Sequence, residues 1–496
     1  MTDKPSQTES AALVTRAKAA QLAWAARSVE DRISALRPLA KRILEEADAI
    51  AEIVHREVKK PLAEALLAEV LPSADVVTYW CNVGFEHLEP MDVELDAISY
   101  PGKSGVITRE PRGVVLAIMP WNFPVALPLR TIVPALLAGN AVLFKPSEVS
   151  PDSGKKIGEL LKGLVPDDLF TVCTGDGSLG AELLQTDVDM VVFTGSVATG
   201  RKVAHACVDK LIPCALELGG KDAAIVLSDC DIERAANGVV WGALSNAGQN
   251  CGAVERVYVE TSIAEAFTKR VTALVASLKE SDVGPLATKA QFDVVARHVA
   301  AAKELGAKVE TGGDPSEAAD AKGPFRYPPT VLSLAKDEGP LMTEETFGPI
   351  LPIVKVRDAE EAVILANASK FGLTASVWTK DIDRGKAIGH RLRAGVVTVN
   401  NHSFTGALPM TPWTGVGESG WGVTNSPFAL DGLTRPRLLL VDKNRAKSEL
   451  WWYPYTDVLT SIARTMAKFK GGVGLFGRIG ALFTLLGLLP KRLSGK

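Results

Sequence analysis

One cysteine of the chain differs from the other five in its surroundings. Cys251 lies in Asn-Ala-Gly-Gln-Asn-Cys-Gly, residues 246–252, a turn-forming segment between a helical pattern and a strand, whereas the other cysteines have apolar neighbours. A cysteine acts as a nucleophile only as the thiolate, which needs backbone donors, a positive potential or a nearby base. Gly248 and Gly252 would let a substrate approach the sulfur closely. The local sequence fits a catalytic thiol and a buried structural thiol about equally well.

Two further polar residues occupy positions that suit acid–base or oxyanion chemistry. Glu217 ends an apolar strand just before Gly219 and Gly220, and burial would raise the pKa of its carboxyl group toward that of a general base. Asn122, in Pro-Trp-Asn-Phe-Pro, holds an amide that could donate to an oxyanion. The alternatives are a salt-bridged strand end for Glu217 and a turn cap for Asn122.

Two other strand ends carry groups that suit a nucleotide. Lys145 and Glu148 follow a predicted strand, at the edge where α/β sheets bind ligands, and a carboxylate there commonly accepts from ribose hydroxyls. The alternative is an exposed ion pair. In Phe-Thr-Gly-Ser-Val-Ala-Thr-Gly, the chain turns at Gly195 and Ser196, and Gly200 opens a helix whose backbone N–H groups would face a phosphate.

Composition narrows the class of protein. The chain has 496 residues, a formal net charge of −3 and 47% hydrophobic residues, so it lacks the basic footprint of a nucleic-acid partner. The first ten residues are polar and no apolar run follows them, so we expect no secretory signal and a cytoplasmic protein with reduced thiols. Since His205 and Cys207 alone make a poor ligand set, we expect no metal site.

The periodicity of apolar residues predicts an α/β architecture. Residues 11–80 have helical spacing, and 96–110 read as two short strands around a Pro-Gly turn. From residue 113, short apolar runs alternate with helical stretches, which indicates a parallel sheet. The pattern restarts after residue 254, so a second α/β domain is expected.

Taken in chain order, these segments resemble the aldehyde dehydrogenase superfamily. The resemblance runs from about residue 20 to residue 440. Eight ordered segments at the right spacing are much more specific than any one of them. They are PWNFP, KPSE, FTGS with its following Gly, ELGGK, GQNC, EETFGP, FGLTASVWTKD and PWTGVGESG.

The resemblance assigns roles to the residues with catalytic potential. Cys251 resembles the family's catalytic thiol and Glu217 its general base, while Asn122 and the backbone N–H of Cys251 resemble its oxyanion hole. The expected reaction is NAD(P)-dependent oxidation of an aldehyde to a carboxylic acid. It would pass through a cysteine thiohemiacetal and then a thioester that water, activated by Glu217, hydrolyses.

The resemblance also implies where a dinucleotide binds, with NAD as the expected cofactor and NADP as the alternative. Lys145 and Glu148 look like the ligands of the adenosine ribose, and Ser196 matches the pyrophosphate contact. Glu345 and Phe347 look like the clamp on the nicotinamide ribose. The complete set of expected cofactor contacts is Trp121, Lys145, Glu148, Gly195, Ser196, Gly200, Glu345 and Phe347.

The implied fold is aldehyde dehydrogenase-like, with a Rossmann-type NAD-binding domain, a second α/β catalytic domain and a small oligomerisation hairpin. The NAD-binding domain would comprise 1–94 and 111–218, and the catalytic domain 219–424. The oligomerisation strands would be 95–110 and 425–446. A homodimer or homotetramer is expected from these strands, since a monomer would leave their edges unpaired.

Some features depart from the family pattern or leave rivals open. Val423 and Thr424 stand where many members have Arg-Glu, so Glu217 would act alone or with other help. A CoA-acylating dehydrogenase is disfavoured by Glu217, because that role needs no base for water. A catalytically silent, membrane-associated binding or scaffold protein on the same fold is disfavoured because the chain retains Cys251, Glu217, Asn122, Lys145 and Glu148.

The substrate is less constrained than the reaction. Arg130, eight residues after Asn122, lies where semialdehyde-oxidising relatives have an arginine, but so do some that act on aromatic aldehydes; its alternative is a structural ion pair. Asn250 stands before the thiol, where small apolar residues are frequent. We expect an apolar aldehyde, aliphatic or aromatic, with a carboxylate-bearing semialdehyde as the alternative.

The segment 447–496 is a basic and apolar tail. No acidic residue follows Asp457, and twelve mostly apolar residues lie between Arg478 and Lys491. Twelve residues are too few to span a bilayer, and a longer run would include Arg478. We therefore expect 458–496 to contact a membrane surface peripherally, with packing on a neighbouring protomer as the alternative.

Overall fold

The computed structural model describes residues 7–96, 99–100, 102–314, 325–402, 404–445, 448–471 and 474–493. A layer of helices opens the chain, as the helical spacing of 11–80 predicts, and a π-helical turn, Leu66–Val70, interrupts it. The helices before the first long sheet are α1 Gln7–Ala25, α2 Val29–Leu36, α3 Pro38–Glu45, α4 Ala47–Val58, α5 Leu62–Ala65 and α6 Leu71–Leu88.

The first large sheet has the strand order β15-β7-β6-β3-β4-β5. Neighbouring strands are parallel except at β15, which is antiparallel to β7. Its strands are β3 Val114–Ile118, β4 Ala141–Lys145, β5 Phe170–Val172, β6 Met190–Thr194, β7 Cys214–Glu217 and β15 Gly420–Trp421. The helices that connect its parallel strands are α7 Ala126–Leu137, α8 Pro151–Leu161, α9 Gly177–Gln185 and α10 Val197–Asp209.

The second large sheet has the order β10-β11-β12-β9-β8-β13-β14 and is parallel except for the antiparallel pair β10–β11. Its strands are β8 Asp222–Val226, β9 Val254–Glu260, β10 Lys308–Thr311, β11 Thr330–Leu334, β12 Ile350–Val356, β13 Thr374–Trp378 and β14 Val396–Val399. The helices that accompany it are α11 Ile232–Leu244, α12 Thr261–Ser277, α13 Lys289–Glu304, α14 Pro340–Thr343, α15 Ala359–Asn367 and α16 Ile382–Gly389.

Each sheet has its own apolar core, because its central strands are buried on both faces. All residues of β3, except Ile118, and all of β4 and β6 are buried. Helix α7, which follows β3, is buried along its whole length. Strand β7 of the first sheet ends at Glu217, and the next strand along the chain, β8 of the second sheet, begins at Asp222. The residues between them therefore lie where the two sheets meet.

Both large sheets belong to one compact unit, Met1–Pro90 with Thr108–Arg437, which also contains α17, Ala429–Leu433. A second unit comprises Met91–Ile107 and Leu438–Lys496. It contains a three-stranded sheet in the order β1-β2-β16. Its strands are β1 Met91–Val93, β2 Lys103–Pro111 and β16 Thr434–Asp442.

The second strand of the predicted hairpin at 96–110 is confirmed as β2. Strand β2 pairs antiparallel with β1, and Met91 lies opposite Ile107. Of the expected first strand, only Asp96, Ser99 and Tyr100 are described, and among them Ser99 donates to the Asp96 carboxylate at 2.6 Å and the Tyr100 N–H donates to the Asp96 carbonyl at 2.8 Å. Residues 97, 98 and 101 of this segment lie outside the described residues.

The tail of the second unit is a helical hairpin of α18, Asp457–Lys470, and α19, Gly474–Leu493. Helix α19 is longer than the twelve-residue apolar run, because it continues through Arg478 at one end and Pro490 at the other. By length and composition alone, Gly474–Arg492 could cross a membrane, and only 6% of it is buried. The helix is long enough to span only with Arg478 inside it, and the twelve-residue apolar run is too short by itself.

Candidate active site

The turn before Cys251 has an unusual backbone. Asn246, Ala247 and Gly248 all adopt left-handed conformations, with φ of 52°, 54° and 71°. Such angles are unfavourable for residues with a Cβ atom. At Gly248 a Cβ atom would lie 2.1 Å from the Gly348 carbonyl oxygen, so that position accepts only glycine. The strained turn must therefore be stabilised by its neighbours.

Hydrogen bonds from several segments stabilise this turn. The Asn246 side chain donates to the backbone carbonyls of Asn122 and Gln249, at 3.0 Å each. The Asn246 N–H donates to the Glu64 carboxylate. The Gln249 side chain donates to the Asn246 carbonyl at 2.9 Å and accepts from the Ala287 N–H at 2.9 Å. These bonds connect the turn to the first helical layer and to the loop after β3.

Cys251 follows the turn directly and is partly exposed. Its carbonyl packs so closely on Gly220 that a Cβ atom there would lie 2.3 Å from the oxygen. The Asn250 side chain accepts from the Gly252 N–H at 3.1 Å and lies 3.9 Å from the Cys251 sulfur. The predicted residues Cys251 and Asn250 thus share one short loop, and Asn250 acts there as a turn-forming side chain.

His402, which the sequence did not single out, supports the same loop. Its Nε2 lies 2.9 Å from the Gly252 carbonyl and its Nδ1 lies 3.0 Å from the Ser376 hydroxyl. Burial lowers the pKa of His402 to about 4, so the ring is neutral near pH 7. Since a carbonyl can only accept, the proton is on Nε2, and the imidazole has a positioning role.

The structure brings Asn122 to the Cys251 loop. The Asn122 side chain is buried, and its Nδ2 donates to the Gln249 carbonyl at 3.2 Å, two residues before the cysteine. An amide carries two N–H groups, so a second donor is left beyond the bond to Gln249. Within the described part of the chain, the buried Asn122 Oδ1 has no hydrogen-bond partner, so this amide fits better as a donor group than as a turn cap.

A buried ion pair that the sequence analysis missed holds the Asn122 loop. Lys60 and Glu69 are both buried and form a direct ion pair. The Lys60 ammonium also donates to the Asn122 carbonyl at 3.0 Å and lies 3.8 Å from the centre of the Phe123 ring. The Glu69 carboxylate accepts from the N–H groups of residues 125 and 126, at 3.1 and 2.8 Å. The pair therefore fixes the loop and the start of α7.

Glu217 is the last residue of β7 and is buried. Thr424, at the position where the family pattern has a glutamate, donates its hydroxyl to the Glu217 carboxylate. Burial is the main cause that raises the pKa of Glu217, and it outweighs the opposing effects of Arg130, Thr424 and Thr194. A carboxyl group with a raised pKa suits proton transfer near neutral pH.

The negative charge of Glu217 acts on the thiol of Cys251. Burial is the largest cause that raises the pKa of Cys251, followed by the negative charges of Glu217, Glu345 and Asp222, while Arg130 opposes them. The unliganded thiol is therefore protonated near pH 7 and needs an acceptor for its proton before it can attack. Glu217 is a carboxylate close enough to affect that proton electrostatically.

Arg130 lies in α7 and is buried beside this site. Its guanidinium donates to the Gly406 carbonyl and lies 5.8 Å from the centre of the Trp413 ring. Desolvation lowers the pKa of Arg130, whereas the nearby Glu217, Cys251 and Glu69 raise it. Among the described residues no carboxylate lies within ion-pair distance of Arg130, and Glu217 and Glu69 act on it only through their charges, so the alternative of a structural ion pair finds no partner there.

The residues expected at the adenosine end of a dinucleotide follow strands of the first sheet. Lys145, buried at the end of β4, contacts the exposed Glu148 carboxylate at 3.1 Å. The Ser196 side chain caps α10 by accepting from the Thr199 N–H at 3.3 Å. At Gly200 a Cβ atom would lie 2.5 Å from the Leu218 side chain, so this glycine allows α10 to pack closely on the strand.

The residues expected at the nicotinamide end also converge. The rings of Trp121 and Phe347 meet edge to face, with centroids 5.7 Å apart. The Glu345 carboxylate accepts from the Gly220 N–H at 3.0 Å, and desolvation, its largest cause, raises the pKa of Glu345 to about 8. At Gly219 a Cβ atom would lie 2.3 Å from the same carboxylate.

A second buried ion pair, again missed from the sequence, positions this segment. The Lys221 ammonium lies 2.5 Å from the Glu255 carboxylate. The Glu255 carboxylate accepts from the N–H groups of Thr346 and Phe347, at 2.8 Å each. In the part of the chain that the structure describes, no cluster of His, Cys, Asp or Glu is arranged to hold a metal ion.

A thiol, a buried carboxylate and an amide lie where two mostly parallel sheets of an α/β fold meet. The aldehyde dehydrogenase family model matches residues 2–438. The chain belongs to the aldehyde dehydrogenase family, and the predicted superfamily, fold class and enzyme class are confirmed.

Relatives and solved structures of this family match nearly the whole chain. It is 35% identical over 469 residues to 4,4'-diapolycopene aldehyde oxidase of a Methylomonas species, covering 92% of this chain and 85% of that protein. It is 36% identical over 475 residues, 93% of this chain and 90% of the other, to a Mycobacterium ulcerans protein whose name proposes an NADP(+)-dependent succinate-semialdehyde dehydrogenase. The structure of PnpE from Pseudomonas sp. WBC-3 aligns with a TM-score of 0.85 and 33% identity, covering 90% of this chain and 92% of that chain. Other solved aldehyde dehydrogenases like this chain hold NAD or NADP.

Lys60→Met should destabilise the protein by about 3–5 kcal/mol, because it leaves the Glu69 carboxylate buried without its partner. It should also lower turnover, since Asn122 loses the bond to its carbonyl. The control is Lys41→Met, which removes the exposed pair with Glu45 (3.4 Å) and should change stability by no more than about 0.5 kcal/mol. Urea unfolding of both variants measures the difference, and equal midpoints would contradict the assignment.

Gly248→Ala should reduce stability and turnover together, because the added Cβ atom would meet the Gly348 carbonyl at 2.1 Å. Gly163→Ala is a matched control, since Gly163 has a φ of 74° and open space around its Cβ position. The control should lose stability only through backbone strain, which is of order 1–3 kcal/mol. Gly248→Ala should lose more stability than the control. If thermal unfolding gave the two variants the same loss, the turn would not be packed as described.

Proposed function

We propose that the chain oxidises an aldehyde to the carboxylic acid with NAD(P) through a thioester on Cys251. The observation that carries the proposal is the convergence of three groups on one loop. The Asn122 amide bonds to the carbonyl two residues before Cys251, and the Glu217 charge acts on the Cys251 thiol. The predicted use of NAD(P) agrees with the solved relatives that hold NAD or NADP.

In the first half of the reaction, the partly exposed Cys251 thiol gives its proton to solvent water. Its sulfur then attacks the aldehyde carbon while the C=O double bond opens onto the oxygen. The free N–H of the Asn122 amide and the backbone N–H of Cys251 donate to the carbonyl oxygen as it becomes negative. Bound NAD(P) would supply the hydride acceptor that turns the thiohemiacetal on Cys251 into a thioester. Trp121, Glu345 and Phe347 would hold the nicotinamide end, and Lys145, Glu148 and Ser196 the adenosine and phosphate end.

In the second half, the Glu217 carboxylate takes a proton from the water that attacks the thioester. The Thr424 hydroxyl keeps the carboxylate oriented by donating to it, and the positive charge of Arg130 favours its ionised form. Thr424 therefore supports the base without being a second proton acceptor. A buried glutamate in this position argues against transfer of the acyl group to CoA, because that transfer does not require a base to activate water.

We propose NAD as the preferred cofactor. Glu148 is exposed beyond the end of β4 and contacts the Lys145 ammonium. A carboxylate there would accept from the ribose 2′-hydroxyl of NAD and repel the 2′-phosphate of NADP. Like charges in contact cost on the order of 1 kcal/mol or more, which sets the scale of the preference.

We propose an apolar aldehyde as substrate. Arg130, the residue that a substrate carboxylate would need, is already engaged by the Gly406 carbonyl and the Trp413 ring. The alternative, a semialdehyde bound through Arg130, is supported by the relative whose name proposes a succinate-semialdehyde dehydrogenase.

We propose that the chain forms a homodimer or homotetramer through β16. This strand is at the edge of the three-stranded sheet. Four consecutive apolar residues of β16, Leu438–Val441, are each more than two-fifths exposed. An exposed apolar edge strand is a surface that soluble proteins normally pair or cover.

We propose that the tail hairpin, α18 with α19, docks on a membrane surface that carries anionic lipids. Large apolar side chains on α19 recur at helical spacing and are exposed; they are Leu475, Phe476, Ile479, Leu482, Phe483 and Leu486. Exposed aromatic residues lie next to the hairpin in sequence, and Arg492 donates to the Leu450 and Trp452 carbonyls. Such a stripe, flanked by basic and aromatic residues, suits the interface of a bilayer. Arg478 within α19 argues against a full span.

Glu217→Gln should spare the first hydride transfer and stall hydrolysis of the thioester, since an amide cannot take a proton from water. Rapid mixing should show a burst of NADH followed by slow turnover. In the wild type the steady-state rate should rise with pH as Glu217 loses its proton, through a pKa above the ordinary 4.5. Cys251→Ala is the control and should give no burst. An unchanged steady-state rate in Glu217→Gln would make this residue structural.

The wild type should have a higher kcat/KM for hexanal than for succinate semialdehyde. Arg130→Met should change the ratio of the two values by less than about threefold, because a residue that binds no carboxylate affects both substrates alike. The effect of Arg130 on Glu217 and Cys251 changes kcat/KM for both substrates equally, so it cancels in the ratio. A selective loss of the semialdehyde reaction by about a hundredfold, the expected effect of removing a charge partner, would favour the semialdehyde reading.

The full chain should float with vesicles of phosphatidylserine and phosphatidylcholine at low salt, and less at high salt. The double variant Phe476→Glu/Phe483→Glu should remain in the soluble fraction. Leu22→Glu/Leu211→Glu is the matched control, because these leucines are 71% and 91% exposed elsewhere in the chain, and it should float like the wild type. If the unmodified chain stays soluble at low salt, the membrane proposal is wrong.

A further inference from the structure

Helix α13 packs one of its faces on the loop between α14 and β12. Gln291, Val295 and His298 are spaced i, i+4 and i+7 along α13, so they lie on the same side of the helix. The Gln291 amide donates to the Thr346 carbonyl at 2.7 Å. At Gly348 a Cβ atom would lie 2.2 Å from the Val295 side chain, so the loop packs directly against this face.

Thr346 lies between Glu345 and Phe347, two of the residues proposed to hold the nicotinamide end of NAD(P). Its N–H donates to the Glu255 carboxylate at 2.8 Å, and its hydroxyl oxygen accepts from the Lys221 ammonium at 3.1 Å. Phe347 has a φ of 52°, which is unfavourable for a residue with a Cβ atom. A loop with such a backbone depends on bonds to its neighbours, and Thr346 makes several of them.

His298 is the partner of the Thr346 hydroxyl on α13. Its side chain is fully buried, and its Nδ1 lies 3.2 Å from the hydroxyl oxygen. Because an ammonium can only donate, the hydroxyl that accepts from Lys221 keeps its own hydrogen for Nδ1. Burial and the positive charge of Lys221 lower the pKa of His298, so the ring is neutral near pH 7. Its Nε2 lies 3.3 Å from the Arg297 guanidinium and 3.4 Å from the Glu344 carboxylate, and both of these side chains are exposed.

We propose that His298 is a positioning residue for cofactor binding, which acts through the Thr346 hydroxyl on Glu345 and Phe347. The inference rests on the proposed function, because it takes the nicotinamide end of NAD(P) as the group that the last two residues hold. Loss of the bond between His298 and Thr346 should loosen the loop and weaken binding at that end. The adenosine end, at β4 and α10, is formed by other elements and should keep its affinity.

The test compares the binding of two nucleotides to the full chain by isothermal titration calorimetry, without aldehyde. NADH would occupy both ends of the site, whereas ADP has only the adenosine and phosphate groups. His298→Leu should raise the Kd for NADH about fivefold, which is the scale of one lost hydrogen bond. The Kd for ADP should change by less than about twofold.

Two further substitutions of the histidine show which ring nitrogen matters. His298→Asn keeps an acceptor near the position of Nδ1 and should bind NADH nearly as tightly as the wild type. His298→Gln places its amide near the position of Nε2, toward the exposed side chains, and should bind NADH as weakly as His298→Leu. The two amides differ by one methylene group, so they are matched controls for polarity in the same buried site.

Substitutions of Thr346 test the same bond with the histidine intact. Thr346→Ser keeps the hydroxyl and should bind NADH like the wild type. Thr346→Val removes the hydroxyl and should raise the Kd for NADH at least about fivefold. Adding His298→Leu to Thr346→Val should cause little further loss, because the bond is already absent. In turnover, the KM for NAD should rise with the Kd, while the KM for hexanal should change by less than about twofold.

An unchanged Kd for NADH in His298→Leu would overturn the proposal, and so would an equal loss of affinity for NADH and ADP, which would show that the whole site is disturbed. A wild type that binds no NADH would overturn both this proposal and the proposed function. A wild type that binds NADH but oxidises no aldehyde would contradict the proposed reaction alone, and the comparison of the binding constants would still test His298.

Discussion

A buried lysine in the first helical layer controls the position of the proposed oxyanion donor. The Lys60 ammonium pairs with Glu69 and donates to the Asn122 carbonyl, and Glu69 accepts from two N–H groups at the start of α7. In a low-dielectric interior neither charge tolerates the loss of its partner. The Asn122 amide and the strained turn before Cys251 are therefore fixed by residues about sixty positions away or more that carry no chemistry themselves.

The same physical solution recurs at the nicotinamide end. Lys221 and Glu255 form a buried pair, and the Glu255 carboxylate accepts from the backbone of residues 346 and 347. Both pairs present a carboxylate to backbone N–H groups of an irregular loop, which would otherwise be buried without partners. The segments that carry Asn122 and Phe347 are thus irregular, and their positions depend on the ion pairs buried next to them.

The sequence predicts the strands and the reactive groups better than it predicts what positions them. Continuous apolar runs predict β3, β4, β6 and β8, because a strand that is buried on both faces is apolar at successive positions and not only at every second one. Lys60 and Glu69 carry no such signal, since a Lys and a Glu nine residues apart in a helical stretch read as an exposed face. Strand β10 is hard to predict because it is short and rich in polar residues. The strand that pairs with β2 is β1, which lies well before the Pro-Gly turn signal from which the hairpin was predicted. The length of α19 exceeds the apolar run because a helix can carry an arginine in its sequence wherever the side chain reaches solvent.

The central claim is that the acyl group is carried by the Cys251 sulfur until Glu217 activates water. The most direct measurement is mass spectrometry of Glu217→Gln quenched in acid after mixing with NAD and hexanal. The tryptic peptide 235–256, which contains Cys251 as its only cysteine, should gain the mass of the hexanoyl group. Its absence, in a sample that has formed NADH, would contradict the account.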